Sequence, residues 1–305
     1  MQNNTHSYVH DERNKNIKIY INGEIYDRRN AKISVFDSGF LLGDGVWEGI
    51  RLHNGQLCFL NEHLNRLYDG AKKLSIKIPY SNKELTQIIY NLIVENGMKT
   101  DVHIRVIISR GEKITPYQHP SSNVGPISLV IIPEYKIANE SVNNNGITLA
   151  SVNIKRGTEL NQDPKINSLS KFNCIAACLE GMNKNVDEAL MLDVNRYVST
   201  CNSTNFFIVK NNQVITSKGQ YCLNGVTRGN IVKICQEENI DIIEKNFNLK
   251  TTYNADEAFA TGTFAGVIPI VKIDNYTIGN GKKGILTERL FKLYKSKINK
   301  LYPNE

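Results

Sequence analysis

The chain runs twice through an alternation of strand-like and helix-like sequence patterns, with a polar break between the two series. The first series occupies residues 1–137 and the second occupies residues 147–305. The stretch between them, ANESVNNNG (138–146), has the small and polar composition of a linker. Because 305 residues are enough for two domains of ordinary size, the pattern predicts an α/β (or α+β) fold of two domains joined by this linker.

Local turn and cap signals place some elements within the first series. The Asn-Gly pair that ends IKIYING (17–23) predicts a β-hairpin, with KISVFD (32–37) as the nearby strand. Asn61 is a candidate cap for the helix that carries Leu64 and Leu67 on one face. These signals predict where elements begin and turn, but they do not indicate a function.

The charge and the cysteines exclude several classes of function. The net charge of +7 arises from 37 Lys and Arg against 30 Asp and Glu, and no basic block interleaves with aromatic residues as a nucleic-acid surface would. The six cysteines form no C-x-x-C pair, and no histidine lies near Cys174 or Cys178. We therefore predict neither a nucleic-acid partner nor a metal site.

The hydropathy pattern predicts a soluble cytoplasmic protein without a membrane partner. No apolar run approaches the roughly 20 residues that a membrane-spanning helix needs. The N-terminal stretch, MQNNTHSYVHDERNKN, is polar and lacks the apolar core of a signal peptide.

Two stretches have the composition of an anion-binding turn. In LNGVTRGNIV, Gly225 leaves the backbone accessible just before a helix, so the amides of Val226 and Thr227 and the Thr227 hydroxyl can converge on a phosphate. TGT (261–263) repeats this arrangement at the end of a strand. GDG (43–45) lacks the third glycine of a dinucleotide loop and predicts only a tight turn.

The order of four longer blocks is more informative than any one of them. The blocks are GFLLGDGVWEGIRLHNGQLCFLNEHLNRL with its H-x-x-R-L, DEALMLDVNRYVSTCNSTNFFIV, LNGVTR and DEAFATGTFAGVIPIV. Together they resemble the class IV pyridoxal-phosphate aminotransferases, which include branched-chain and D-amino-acid aminotransferases and aminodeoxychorismate lyase. The likeness extends from about residue 17 to residue 294. It implies the fold-type-IV architecture: a small N-terminal α/β domain, a larger C-terminal pseudo-barrel domain, pyridoxal 5'-phosphate as cofactor, and a homodimer.

The resemblance also implies roles for individual residues. Arg66 corresponds to the family's phosphate-binding arginine, and a guanidinium can clamp phosphate with two hydrogen bonds. Val226, Thr227 and Thr263 correspond to the remaining phosphate donors, and Leu223 to the residue packed on the pyridine ring. The alternative interpretation is a helix-surface arginine with ordinary helix caps.

The chain departs from the family at the Schiff-base lysine. The family usually reads K-S-L-N-Y-L with this lysine first, whereas residues 167–172 read N-S-L-S-K-F. Asn167 therefore stands in the place of the lysine and cannot form an imine. Lys171 stands in the place of a tyrosine that the family puts beside the phenolic oxygen of the cofactor, next to its aldehyde. Lys165 is a second candidate, but it follows Pro164 and we expect it to lie in a loop.

We predict that Lys171 is a relocated Schiff-base lysine. It lies near the start of a predicted helix, whose positive end favours the neutral amine that attacks an aldehyde. Phe172, Ile175 and Leu179 form one face of this helix, and we expect that face to pack on the core and to fix the direction of Lys171. A site with no reactive lysine remains the alternative.

A second departure concerns the pyridine nitrogen of the cofactor. The family commonly has a glutamate where Thr200 stands, and this glutamate keeps the nitrogen protonated. A neutral threonine would hold the nitrogen less strongly protonated and weaken the electron sink. The alternative is that Thr200 is a packed strand residue and another group serves the nitrogen.

Candidate substrate residues lie on two predicted strands. His103 and Arg105 share the strand face that points into the pocket of the branched-chain members, and Arg105 is either a carboxylate ligand or part of a structural ion pair. Trp47 and Arg51 in GVWEGIR form another wall. The D-amino-acid members have an arginine and a histidine further along, where this chain has neutral residues, so that subtype is disfavoured.

The resemblance implies an aminotransferase that moves an amino group between an amino acid, branched-chain-like, and a 2-oxo acid, its two small-molecule partners. Two alternatives stay open. One is a pyridoxal-phosphate-dependent lyase of the aminodeoxychorismate-lyase type. The other is a non-catalytic cofactor-binding or regulatory relic.

Overall fold

The computed structural model describes residues 5–304 of the chain, which divide into two compact units. The N-terminal unit consists of His10–Ile137, Ile166–Lys171 and residues 302–304. The C-terminal unit consists of residues 5–9, Ala138–Lys165 and Phe172–Leu301. The short segment 166–171 therefore returns to the N-terminal unit from within the second half of the sequence.

The N-terminal unit is built on a six-stranded antiparallel sheet. A two-residue strand, β1 (Tyr8–Val9), precedes the unit in sequence. The six strands are β2 (Lys18–Ile21), β3 (Glu24–Asp27), β4 (Gly45–His53), β5 (Gln56–Leu57), β6 (Val102–Ser109) and β7 (Ser128–Tyr135). They are ordered β3-β2-β7-β6-β4-β5.

Helices cover the apolar face of this sheet. They are α2 (Leu60–Lys73) and α3 (Asn82–Glu95). The unit also contains α1 (Ser38–Leu42) and short 3₁₀ helices at Glu12–Asn16 and Pro120–Ser122. Alternate residues of β6 are buried, as the two-residue period of a strand requires, and they form one core with Leu64 and Leu67 of α2. Ser81 caps α3 in a capping box with Glu84.

Two local predictions in this unit need correction. The Asn22-Gly23 turn does form a hairpin, but the partner of β2 is β3, and residues 32–37 are not a strand. Asn61 does not cap α2, because the helix already begins at Leu60. The residue before it, Phe59, has a left-handed backbone and no side-chain cap, and its N–H instead donates to the Tyr302 hydroxyl at 2.7 Å.

The C-terminal unit is built on a nine-stranded mixed sheet. The chain passes into it through β8 (Ile137–Ala138). The nine strands are β9 (Ile147–Ser151), β10 (Glu188–Leu192), β11 (Val198–Cys201), β12 (Asn205–Lys210), β13 (Gln213–Thr216), β14 (Ile242–Glu244), β15 (Glu257–Gly262), β16 (Gly266–Ile273) and β17 (Tyr276–Thr277). Their order is β11-β10-β9-β16-β15-β12-β13-β14, and β17 pairs with β16.

Five helices belong to this unit, and none of the helices described between residues 5 and 304 is long and apolar enough to cross a membrane. They are α4 (Glu140–Asn145), α5 (Phe172–Asn183), α6 (Val226–Glu237), α7 (Leu249–Tyr253) and α8 (Ile285–Leu301). The stretch 138–146, which we expected to be a linker, contains α4. Asn139 caps this helix, and Val142 is buried in the core of the unit, so the stretch is packed structure.

The apolar face predicted for α5 does not pack on the core. The helix begins at Phe172, so Lys171 is the residue that precedes it. Its large apolar side chains are exposed, and small residues such as Ala177 and Gly181 face the sheet instead. The prediction that the face of Phe172, Ile175 and Leu179 docks on the core is therefore wrong.

Candidate active site

The segment 166–171 lies along the start of β4. The Trp47 N–H donates to the Asn167 carbonyl at 2.9 Å, and the Leu169 N–H donates to the Gly45 carbonyl at 2.9 Å. Val46 and Ser168 form an antiparallel bridge between these two bonds. Backbone pairing on both sides thus holds residue 167 in a fixed position beside the strand.

Lys171 turns its amine back toward residue 167. Its Nζ donates to Asn167 Oδ1 at 2.9 Å, and the Asn167 side chain is buried. The same Nζ lies 5.6 Å from the centre of the Trp47 ring. Lys165 belongs to the C-terminal unit, where its Nζ lies 4.0 Å from Glu159 Oε2. Of the two candidate lysines, Lys171 is the one whose amine contacts the residue standing at the family's lysine position.

The candidate substrate residues share one face of the N-terminal sheet, so the expectation that Trp47 and Arg51 form a separate wall is wrong. Arg51 lies opposite His103, and Gly49 lies opposite Arg105, in the β4–β6 ladder, and opposite residues of an antiparallel pair point to the same side. Trp47 belongs to this face because residues of a strand two apart point to the same side. The guanidinium carbon of Arg105 lies 4.0 Å from the centre of the Trp47 ring, a cation–π contact. The Trp47 ring therefore has both Arg105 and Lys171 within cation–π reach.

The other face of β4 holds a buried carboxylate that organises Arg66. Glu48 is fully buried and receives hydrogen bonds from Arg66 Nε at 2.7 Å and Arg66 Nη2 at 2.8 Å. His63 Nδ1 lies 2.7 Å from the same carboxylate. His63 and Arg66 reach Glu48 together because they are three residues apart on α2.

Electrostatics keep Glu48 ionised. Burial by itself raises the pKa of Glu48, but the charge of Arg66 and the hydrogen bonds from His63 and Arg66 outweigh burial and lower the pKa below its ordinary value. The second ring nitrogen of His63, Nε2, is buried without a hydrogen-bond partner in the described chain. The cluster of Glu48, His63 and Arg66 therefore has one buried nitrogen without a partner, His63 Nε2, and a guanidinium that Glu48 holds in place.

The C-terminal unit places Leu223, Val226 and Thr227 at or just before the start of α6. Gly225 precedes the helix, and no side chain caps it, so the first amides, those of Val226 and Thr227, lack partners within the helix. A Cβ at position 225 would collide with Asn205 Oδ1. Asn205 Nδ2 donates to the Leu223 carbonyl at 2.9 Å and thereby fixes the approach to the helix.

The β15–β16 turn lies next to this helix start. Asn205 is opposite Thr261 in the β12–β15 ladder, and the Thr261 hydroxyl is buried with no partner among the described residues. Thr263 follows in the turn after β15 and is partly exposed. The Thr227 hydroxyl lies 3.5 Å from the Tyr294 hydroxyl. The uncapped amides and the hydroxyl of Thr261 are hydrogen-bond donors suited to a phosphate. Position 225 beside them accommodates only glycine.

Thr200 lies on β11 with its hydroxyl already engaged. The Thr200 Oγ1 donates to the Thr204 carbonyl at 2.6 Å, and the side chain is buried. Its single proton is thus used, and the oxygen can act only as an acceptor toward another group. This arrangement differs from a carboxylate, which would bring a negative charge to the same position.

Three residues of these clusters were missed in the sequence. Glu48 had a usable signal, because it is the one charged residue at the alternate positions of GVWEGIRL that are otherwise apolar, and buried charges are paired. Asn205 had none, since its role depends on the pairing of strands that are far apart in sequence, whereas Thr261 lies in the TGT stretch whose composition already indicated an anion-binding turn. No group of three or more His, Cys, Asp or Glu that could hold a metal ion occurs in the described part of the chain.

The sequence of the chain is similar to a known protein family and to proteins of that family. The family model of amino-transferase class IV matches residues 45–273. Branched-chain-amino-acid aminotransferase-like protein 2 of Arabidopsis thaliana is 38% identical over 282 residues, which cover 92% of this chain and 50% of that protein. A putative branched-chain-amino-acid aminotransferase of Methanocaldococcus jannaschii is 35% identical over 280 residues, which cover 92% of this chain and 96% of that protein. The chain thus spans about half the length of the Arabidopsis relative.

A solved structure shows the same fold. The branched-chain amino acid aminotransferase of Thermoproteus uzoniensis, determined with norvaline, superposes with a TM-score of 0.83 at 26% sequence identity. The match covers 95% of this chain and 96% of that chain. This likeness confirms the predicted fold class.

Proposed function

The chain belongs to the class IV aminotransferases, and from that membership we propose that it is a pyridoxal-phosphate-dependent aminotransferase. It would move an amino group between an amino acid of the branched-chain type and a 2-oxo acid. One observation carries the proposal beyond the family likeness: the 2.9 Å hydrogen bond from Lys171 Nζ to Asn167 Oδ1. This bond brings an amine to the position where the family's lysine is missing.

Lys171 is the residue to which we assign covalent attachment and proton transfer. Pyridoxal phosphate supplies an aldehyde that takes up the amino group and a ring that withdraws electrons from the substrate. Lys171 Nζ would be the amine that holds the cofactor covalently when no amino acid is bound. The same amine, once free, would serve as the general base and acid that moves the proton of the substrate Cα.

We assign to Arg66 the main positively charged contact with the cofactor phosphate. Glu48 grips two of its nitrogens and so fixes the plane of the guanidinium, which suits a permanent anchor better than a mobile side chain would. The amides of Val226 and Thr227 and the Thr263 hydroxyl would supply neutral donors, and Leu223 would pack on the ring.

Replacing Arg66 with lysine or alanine should weaken cofactor retention. The alanine variant should lose roughly 1.5–3 kcal/mol, or about 10- to 150-fold in affinity, as expected for a charge-assisted hydrogen bond. Equilibrium dialysis of pyridoxal phosphate measures this, and the lysine variant keeps a charge beside Glu48 so that folding is preserved. Arg110→Ala is the matched control, because Arg110 grips Asp44 in the same two-bond manner at 2.6 and 2.9 Å. Equal affinity in the Arg66 and Arg110 variants would remove Arg66 from the site.

A basic face supports recognition of a substrate carboxylate. Burial lowers the pKa of Lys136, and the nearby charges of Arg105 and Arg51 lower it further against the opposing effect of Glu134. Arg51 Nη1 donates to the Lys136 carbonyl at 2.7 Å, which holds these groups together. Amino acids and 2-oxo acids both carry a carboxylate, so we assign its binding to Arg105, with Trp47, Arg51 and His103 shaping the pocket.

The products decide between the proposed reaction and its rivals. Thr200 is neutral and its proton is engaged, so it would hold the pyridine nitrogen less strongly protonated than a carboxylate would. We nevertheless expect transamination, since the family blocks match throughout. Incubation with a panel of amino acids and 2-oxoglutarate should yield pyridoxamine phosphate and the matching 2-oxo acid. Release of pyruvate or ammonia without pyridoxamine phosphate would identify a lyase, and bound cofactor without any turnover would identify a non-catalytic relic.

We further propose a cytoplasmic homodimer. The cytoplasmic assignment is supported by the six cysteines, which are all free thiols, the form that persists in the reducing cytosol. The homodimer follows the family resemblance.

A further inference from the structure

Residues 302–304 belong to the N-terminal unit, although α8, which precedes them, belongs to the C-terminal unit. Within the N-terminal unit they lie against the turn that joins β4 to β5. Asn54 Nδ2 donates to the Tyr302 carbonyl at 2.9 Å, and Gln56 Nε2 donates to the Pro303 carbonyl at 3.2 Å. This segment is therefore bound just before the start of α2 in the fold.

Tyr302 supplies the cap that the start of α2 lacks. Phe59 precedes the helix with a left-handed backbone (φ 52°) and makes no side-chain cap. Its N–H donates to the Tyr302 hydroxyl at 2.7 Å, and the two rings meet edge to face with their centres 5.8 Å apart. Burial raises the pKa of Tyr302, so the hydroxyl stays protonated at neutral pH. Because a left-handed backbone is unfavourable for a residue with a side chain, these two contacts help to hold Phe59 in it.

A short series of hydrogen bonds connects Tyr302 to the cluster around Glu48. The Phe59 carbonyl accepts the His63 N–H at 3.1 Å, as a carbonyl does in the first turn of a helix. His63 Nδ1 lies 2.7 Å from a Glu48 oxygen, and Arg66 donates two hydrogen bonds to the same carboxylate. The conformation of Phe59 thus fixes where α2 begins, and with it the position of the Arg66 guanidinium.

Arg66 is the member of this cluster that reaches a surface. Its side chain is 18% exposed, whereas the side chains of His63 and Glu48 are 1% and 0% exposed. A ligand that binds Arg66 therefore meets a guanidinium whose position is set by buried groups. Such an arrangement favours binding, because less orientational freedom is lost when the ligand arrives.

We propose that Tyr302 is a positioning residue for the cofactor, and that it acts on Arg66 through the start of α2. The inference rests on the proposed function, in which Arg66 binds the cofactor phosphate. Without the Tyr302 hydroxyl, the Phe59 N–H loses its partner and the first turn of α2 frays more readily. The guanidinium would then be held in several orientations instead of one. The effect should concern the phosphate group of the cofactor and should require Arg66.

Equilibrium dialysis compares wild type with Tyr302→Phe, which keeps the ring beside Phe59 and removes only the hydroxyl. The dissociation constant for pyridoxal phosphate should rise about 3- to 10-fold, the range for loss of one neutral hydrogen bond. The dissociation constant for pyridoxal, which lacks the phosphate, should stay the same. Tyr253→Phe is the matched control, because it removes a hydroxyl that donates to Asp274 Oδ2 at 2.6 Å in the C-terminal unit, and it should change neither constant. Far-ultraviolet circular dichroism checks that each variant is folded.

A double variant separates positioning of Arg66 from a general effect on stability. In the Arg66→Ala background, Tyr302→Phe should cause no further loss of affinity for pyridoxal phosphate, since two residues that act through one contact are not additive. An effect that persists in that background, or an equal loss for pyridoxal, would overturn the inference. So would unchanged affinity in Tyr302→Phe when Arg66→Ala binds weakly, and the proposed function would then still stand. If Arg66→Ala itself binds the cofactor as tightly as wild type, the assignment of Arg66 fails and the inference fails with it.

Discussion

Replacing Lys171 with alanine is expected to lower the rate of transamination by roughly 10²- to 10⁴-fold, the usual contribution of a positioned general acid–base group. The visible absorbance of covalently held cofactor should disappear at the same time. The reason is that Lys171 Nζ is the amine that contacts Asn167, the residue at the family's lysine position. Lys165→Ala is the matched control and should leave both rate and absorbance unchanged, since Lys165 lies beside Glu159 instead. Full activity in Lys171→Ala would contradict the assignment of Lys171 as the cofactor-binding lysine.

A residue swap provides a gain-of-function version of this experiment. The double variant Asn167→Lys with Lys171→Tyr recreates the family's usual order of these two side chains. Because Nζ of Lys171 and the side chain of residue 167 are within 2.9 Å, an amine presented from position 167 should reach the same atoms. We expect the double variant to recover a substantial part of the activity that Lys171→Tyr loses alone. No recovery would mean that the surroundings of residue 167 no longer accept a lysine.

The largest loss of stability is expected for Glu48→Gln. Removing one partner of a buried ion pair leaves the others without compensation and costs about 3–5 kcal/mol. Here Arg66 and His63 would both lose the carboxylate that holds them. Urea unfolding measures the change in the free energy of unfolding. Glu95→Gln is the control, because Glu95 pairs with Lys18 on the surface, where such pairs contribute little.

The pH dependence of this loss follows from the sign of the Glu48 shift. The pKa of Glu48 is lower in the folded protein than its ordinary value, so the unfolded chain binds the proton more readily. The stability that Glu48 supplies is therefore complete above the ordinary carboxyl pKa and is lost as the pH falls through the lowered folded value. The difference between wild type and Glu48→Gln should shrink in acid. A difference that grows in acid would mean that Glu48 is not an ionised partner of Arg66.

Regular periodicity made much of the fold predictable. The alternation of β6 gave the buried and exposed sides of that strand correctly, and the Asn22-Gly23 turn marked a real hairpin. Its partner strand was misjudged because β3 begins directly after the turn, whereas 32–37 only resembles a strand in composition. The stretch 138–146 was misjudged because its polar composition conceals Val142, which is enough to anchor a short helix.

The orientation of α5 could not be predicted from its own sequence. Periodicity identifies an apolar face, but it does not say whether that face meets the core or another molecule. The decisive features are Ala177 and Gly181 on the other side, where close contact with the sheet requires small residues. The candidate site was limited in the same way: the resemblance supplied Arg66, but the Glu48 carboxylate that orients it emerged only with the packing of α2 against β4.

The identity of the lysine that holds the cofactor tests the central claim most directly. Purified protein loaded with pyridoxal phosphate is reduced with borohydride, digested, and mapped by mass spectrometry. We predict that the pyridoxyl group is found on the peptide that contains Lys171. A pyridoxyl group on Lys165, or bound cofactor with no labelled lysine, would contradict the relocated-lysine account.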